Sequence, residues 1–158
     1  MKRSLYATFM NIGTSDDPSY TRMGKGISEM KESYNAEEES NQYIHEDSAT
    51  NEVISYNPTF DVTQKCYADE PIFLFIDELR KNLAVEEDAK TDCLKVYLYN
   101  QLADNVYEAA LINTTIIIGD FDAKEITYNV KQNGDQTTGY VTIASDGTVT
   151  FTEGEYSA

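Results

Sequence analysis

The last forty residues constrain the fold more than any other part of the chain. Lys124–Gln132 alternates, with Ile126, Tyr128 and Val130 on one side, and Asn133-Gly134 follows. Thr138–Ala144 alternates again, with Val141 and Ile143 on one side, before Asp146-Gly147 and the run Thr148–Thr152. Period-two alternation marks a strand with one buried face. Asn-Gly and Asp-Gly supply the positive φ angles that tight hairpin turns require. The chain is therefore expected to end in an antiparallel meander.

The same logic runs upstream. Residues 5–12 read as a first strand or an extended arm. Gly13–Gly26 is rich in turn residues, and a loop of that length is usually functional, disordered or ordered by a partner. Ile27–Tyr34 alternates weakly, with Met30 and Tyr34 on one face. Asn35–Glu52 is polar, carries Glu37, Glu38, Glu39, Glu46, Asp47 and Glu52, and has no Lys or Arg. It reads as a solvated loop or as an extension that orders against another subunit, with the apolar Tyr43 and Ile44 in its middle favouring the second. Val53–Tyr67 reads as one strand with Ile54, Tyr56, Phe60 and Val62 on a common side, interrupted by Pro58. Proline in a strand points to an edge or a bulge.

One helix is expected, over Pro71–Leu83. Asp69 or Glu70 would cap it, Pro71 suits the first turn, and Arg80 and Lys81 suit the last. Ile72, Phe75, Ile76, Leu79 and Leu83 form its apolar stripe. Ala84–Asp92 is an acidic connector. Leu94–Asn100 alternates, Asp104-Asn105 makes a turn, and Val106–Ile118 is a long strand whose Thr114–Ile118 run suggests cover on both faces. The sum is one domain over residues 1–158, mainly β with a single flanking helix. An N-terminal arm or loop over about 1–26 and a long polar loop over about 35–52 complete the expected organisation.

Charge narrows the partners. With 28 acidic and 12 basic side chains the formal charge is −16, which repels nucleic-acid phosphates and anionic lipid. No stretch approaches the roughly 20 apolar residues of a membrane span, and no signal-peptide pattern follows the basic start Met1-Lys2-Arg3. The expectation is a chain made in cytosol, without membrane contact, with Cys66 and Cys93 reduced and acting as small apolar residues.

Catalytic chemistry finds little footing. His45 is the sole histidine, so a histidine metal cluster is excluded. His45 beside Glu46 and Asp47 lies in a polar loop, and Cys66 with His45 has no local nucleophile signature. Asp120 and Asp122 flank Phe121, so an extended backbone aims both carboxylates one way, as for a cation or an acid–base pair; a solvated strand end has the same pattern. Gly24-Lys25-Gly26 lacks the spacing and ending of a phosphate loop. No nucleophile, base and oxyanion site assemble, so a non-enzymatic chain without a cofactor is expected.

The order of segments resembles the major tail-tube proteins of long-tailed bacteriophages and related prophage particles, over nearly the whole chain. The resemblance rests on Gly26-Ile27-Ser28, on Tyr43-Ile44-His45-Glu46-Asp47, and on Tyr56-Asn57-Pro58-Thr59-Phe60-Asp61-Val62. It continues from Tyr67 through Glu70-Pro71-Ile72-Phe73 into Ile76-Asp77-Glu78-Leu79-Arg80, and ends on Gly139-Tyr140-Val141-Thr142 and Gly147-Thr148-Val149-Thr150-Phe151. It implies an antiparallel β-sandwich or barrel-like tail-tube fold. Six copies would form a ring, and rings would stack into a hollow tube that holds the tape-measure protein and then DNA, without sequence-specific contact. Further partners would be tail-tip or baseplate proteins, and the location the virion tail, assembled in the bacterial host cytoplasm.

On this reading the candidate subunit-interface residues are Tyr43, Ile44, Glu46, Asp47, Tyr20 and Met23, and the candidate lumen-facing acids are Glu29, Glu32 and Asp61. The competing expectations are a head–tail connector or terminator that forms a single ring, and a monomeric β-sandwich binding module with an aromatic platform among Tyr97, Tyr99 and Tyr107. A hydrolase using Asp120 and Asp122 is a fourth.

Overall fold

β-branched and aromatic residues are abundant from Lys90 to Ile143, and this stretch forms the three longest strands. The computed structural model describes residues 1–158. Its strands are β1 (Tyr6–Asn11), β2 (Tyr20–Arg22), β3 (Ile27–Ser33), β4 (Glu37–Asn41), β5 (Thr50–Ser55), β6 (Thr59–Lys65), β7 (Lys90–Ala103), β8 (Val106–Phe121), β9 (Glu125–Ile143) and β10 (Val149–Glu153). The one α-helix, α1 (Pro71–Lys81), lies between β6 and β7. The main sheet runs β2-β1-β7-β8-β9-β6-β3, antiparallel throughout, with β10 joined to β9, while β4 and β5 form a separate pair. The fold is thus mainly antiparallel β with one helix, on a sheet curled into a half-barrel.

Pleating gives this sheet two apolar faces, because successive side chains point opposite ways. Met10 and Cys93 join Phe60, Val62, Ile112, Ile116, Ile126, Tyr128 and Val130 in one cluster, which α1 covers with Ile72, Phe73 and Ile76. Their neighbours Phe9 and Leu94 join Ala7, Val96, Ala109, Val141 and Val149 in the other. Burying a side chain such as Ile72 or Ile76 stabilises the fold by about 1.5–3 kcal/mol.

The closing segment differs from the expected meander in one respect. Asp146-Gly147 does turn the chain: Gly147 has φ +90°, and Ala144 N–H donates to Thr148 O at 2.9 Å. Asn133-Gly134 does not. There β9 continues, Asn113 facing Asn133 and Leu111 facing Thr137, so Gly134, Asp135 and Gln136 bulge opposite Ile112. Gly134, at φ +68°, supplies the left-handed residue of the bulge. The two halves of β9 then serve different partners on one edge, Glu125–Lys131 with β6 and Gly139–Ile143 with β10.

Four other expectations are corrected. Val53–Tyr67 is two strands in two sheets; the chain breaks at Tyr56–Pro58, and Ile54 and Tyr56 are exposed. Residues 1–26 are no free arm, because β1 lies inside the sheet between β2 and β7. The helix ends before Leu83, which takes φ +49° and is 81% exposed, off the buried stripe. Ile117 is 45% exposed, so the end of β8 is covered on one face only.

Candidate assembly surfaces

The segment without cations folds into the β4–β5 hairpin. Its strands are exposed on nearly every residue, and they pair only with each other. Register sets Glu39 opposite Glu52, a destabilising pairing of like charges. A lone two-stranded hairpin is marginal in water. At its tip Tyr43 stacks on His45 at 6.2 Å, Glu46 accepts a hydrogen bond from Thr50 Oγ1 at 3.1 Å, and Ile44 is wholly exposed at 106%. Asp47 is exposed beside it. At its base Asn57 N–H donates to Tyr34 O at 2.9 Å, and Tyr34 meets Tyr56 edge-on at 6.2 Å. The expected loop over 35–52 is therefore a projecting arm with its own strand pairing.

Inside the half-barrel lies a buried ion pair. Lys95 Nζ is 2.7 Å from Glu32 Oε1, and Tyr6 Oη donates to Glu32 Oε2 at 2.8 Å. The ammonium also lies 5.4 Å from the Phe60 ring centre and 5.8 Å from that of Tyr34. Tyr6 stacks obliquely on Tyr97 at 5.8 Å, and burial, then the Glu32 carboxylate, raise the Tyr6 phenol well above its usual range. Glu32 is thus an internal partner of Lys95 and not a solvent-facing acid. Its parity with Met30 turns it inward, because β3 residues two apart share a face.

Glu29 and Asp61 are exposed on the outer face of β3 and β6, the opposite face from Glu32. Their surroundings are mixed in charge. Asp61 stands opposite Lys31 and accepts a hydrogen bond from Asn129 Nδ2, and Lys65 stands opposite Glu125.

Tyr20 and Met23 do not join the hairpin tip. Tyr20 packs on the second apolar cluster and donates to Asp92 Oδ2 at 2.5 Å, and Met23 is buried in the first. The turn before them is closed by Asn11, whose side-chain oxygen accepts from Gly13 N–H and Ser19 N–H at 2.9 Å each. That side chain folds a segment that reads as a loop back onto the sheet, and an Asx-type turn of this kind has only a weak local signal.

The residues weighed for catalysis are dispersed. Asp122 accepts from the backbone N–H groups of Lys124 and Glu125 at 2.9 and 2.8 Å, which hold its carboxyl below the usual range and occupy it in a turn. His45 is exposed on the hairpin, Lys25 pairs with Asp69 at 3.0 Å, and Cys66 and Cys93 are free thiols. No three His, Cys, Asp or Glu side chains converge as a metal site. No helix is long and apolar enough to cross a membrane.

Sheet edges complete the surface. β3 and β10 each pair on one side only, leaving unpaired N–H and C=O groups. These features define a class: a mainly β, single-helix protein with open sheet edges and a projecting acidic hairpin. No family model matches the sequence, and no curated protein matches it. Among solved structures, the chain is similar to one in the tail of an empty GTA particle of C6 symmetry, with TM-score 0.49 and 11% identity over 87% of this chain and 98% of that one. It is also similar to one in the six-fold symmetrised baseplate of the anti-feeding prophage, with TM-score 0.43 and 10% identity over 84% of this chain and 91% of that one.

Proposed function

We propose that this chain is a structural subunit of a phage-type tail, without enzymatic activity, that associates with copies of itself into six-membered rings stacked as a hollow tube. The observation that carries the reading is the β4–β5 hairpin, exposed on both strands, self-repelling in charge and apolar at its tip. Such an element gains its stability from a partner surface. The open edges of β3 and β10 support the same reading, since edge-to-edge closure of subunits removes unpaired backbone groups. The charge of −16 suits a conduit, because excess carboxylate repels phosphates and lets DNA pass without sticking. Tail-tip or baseplate proteins and a tape-measure protein are the further partners on this account, in the virion tail.

Negative-stain electron microscopy of the concentrated protein, with and without tail-tip components, tests the reading. Open-ended tubes of stacked rings are expected. Lone rings would make it a connector, and monomers under both conditions would overturn assembly altogether.

A further inference from the structure

Cations are scarce here and unevenly placed. None lies between Lys31 and Lys65. Arg3 and Arg22, by contrast, meet at the open seam where β1 and β2 face β3. The seam holds a cavity of about 570 Å³, lined by both arginines together with Met23, Ile27, Met30 and Phe60. Arg3 Nη2 donates to Met30 O at 3.5 Å and Arg22 Nη2 to Ser4 O at 3.1 Å, both exposed bonds to backbone. Neither guanidinium forms an ion pair, in a chain with 28 acidic residues. The one carboxylate at the cavity, Glu32, is already taken by Lys95 and Tyr6.

We propose that this seam receives the β4–β5 hairpin tip of a second copy of the chain. Ile44 enters the cavity, and Glu46 and Asp47 meet Arg22 and Arg3. This inference rests on the assembly reading and names its acceptor surface. Complementarity carries it in two respects. The hairpin carries six carboxylates and no Lys or Arg, and the seam holds guanidinium groups without an ion-pair partner, which form strong, oriented bonds to carboxylates. The tip exposes an isoleucine and a tyrosine, and the cavity is walled by methionine, isoleucine and phenylalanine. Within one chain the tip stands clear of the seam, since Ile44 is wholly exposed.

Two variants mixed in a Cys66→Ser background test it. One carries Ile44→Cys, the other Gly24→Cys; Gly24 lines the cavity, and a Cβ there meets nothing within 4 Å. Under oxidation the mixture is expected to give a disulfide-linked dimer about tenfold or more above either variant alone. Separately, Arg3→Glu with Arg22→Glu, and Glu46→Lys with Asp47→Lys, are each expected to raise the concentration at which assembly begins by about tenfold or more, and their mixture to restore it. Assembly without the cross-link, and indifferent to the charge reversals, would place the hairpin elsewhere and overturn this docking while leaving the assembly reading intact. Failure of the unaltered chain to assemble at all would overturn both. A disulfide within single chains of the Ile44→Cys, Gly24→Cys double variant, with none between chains, would mean that the hairpin folds onto its own seam, and would overturn the second-copy docking.

Discussion

The Lys95 ammonium lies 2.7 Å from the Glu32 carboxylate although β7 and β3 are four strand positions apart in the sheet. In a flat sheet that separation is about 19 Å, so the pair exists only because the sheet curls. The side chains are 3% and 14% exposed. Removing one partner leaves a buried charge, so Lys95→Ala or Glu32→Ala is expected to cost about 3–5 kcal/mol. Lys95→Met with Glu32→Leu is expected to cost far less. Urea denaturation of the singles and the double checks this, and equal losses in all three would refute the pairing as described.

Alkali is expected to destabilise the fold above pH 10. Burial raises the phenols of Tyr6, Tyr20, Tyr97 and Tyr128, that of Tyr97 to about 12, and pushes the Cys93 thiol up to about 12. A folded-state value above the unfolded one means that the unfolded chain ionises first as pH rises. The contribution of each tyrosine is whole below about pH 10, the unperturbed tyrosine value, and falls by about 1.4 kcal/mol per pH unit until the folded group titrates. Cys93 begins the same decline nearer pH 9, its unperturbed value. Denaturation midpoints that stay flat from pH 9 to pH 11 would contradict this.

The helix seats on Ile72, Phe73 and Ile76, and not on Leu83. Ile76→Asp is expected to cost several kcal/mol, enough to unfold a domain of ordinary stability. Leu83→Asp is expected to change stability by less than about 0.5 kcal/mol. Thermal melts of the two variants separate these outcomes.

Gly139 lies where β9 meets β10. A methyl there would overlap the Thr152 carbonyl oxygen and come within 2.8 Å of the Phe151 ring. Gly139→Ala is expected to cost about 1–3 kcal/mol and to loosen β10. Hydrogen exchange at Val149–Glu153, faster than in the unaltered chain, is the readout.

What could be read from the sequence follows the range of the interactions involved. The helix and the β9–β10 hairpin depend on residues within a few positions, and both stand out locally. Asn133-Gly134 and Asp146-Gly147 look alike, and both glycines have positive φ. The difference is β8, which runs on past Ile112 and keeps β9 extended, a constraint some twenty residues away in the chain. Val53–Tyr67 misleads for a similar reason: parity is shared across Pro58, yet its halves have different partners, β4 and β3. Met23 is buried and Tyr20 packs against the core because Asn11 closes the turn before them. Glu32 resembles any acid on a half-polar strand until sheet curvature brings it to Lys95. Tyr43, Ile44 and Asp47 are exposed at the hairpin tip and Glu46 is half-buried; two apolar residues amid carboxylates stand out in the sequence, while the strand pairing that projects them does not.

On the proposed function the hairpin serves assembly and not folding. Its ends are already joined by Asn57 N–H and Tyr34 O, so residues 37–55 can be replaced by a short Gly-Ser linker. Sedimentation of this chain beside the intact one, each with its melting curve, is the most direct measurement. An unchanged melting transition in the shortened chain, large particles from the intact chain only, and monomers from the shortened one are the expected results. Particles of equal size from both chains, or loss of folding in the shortened one, would contradict that role.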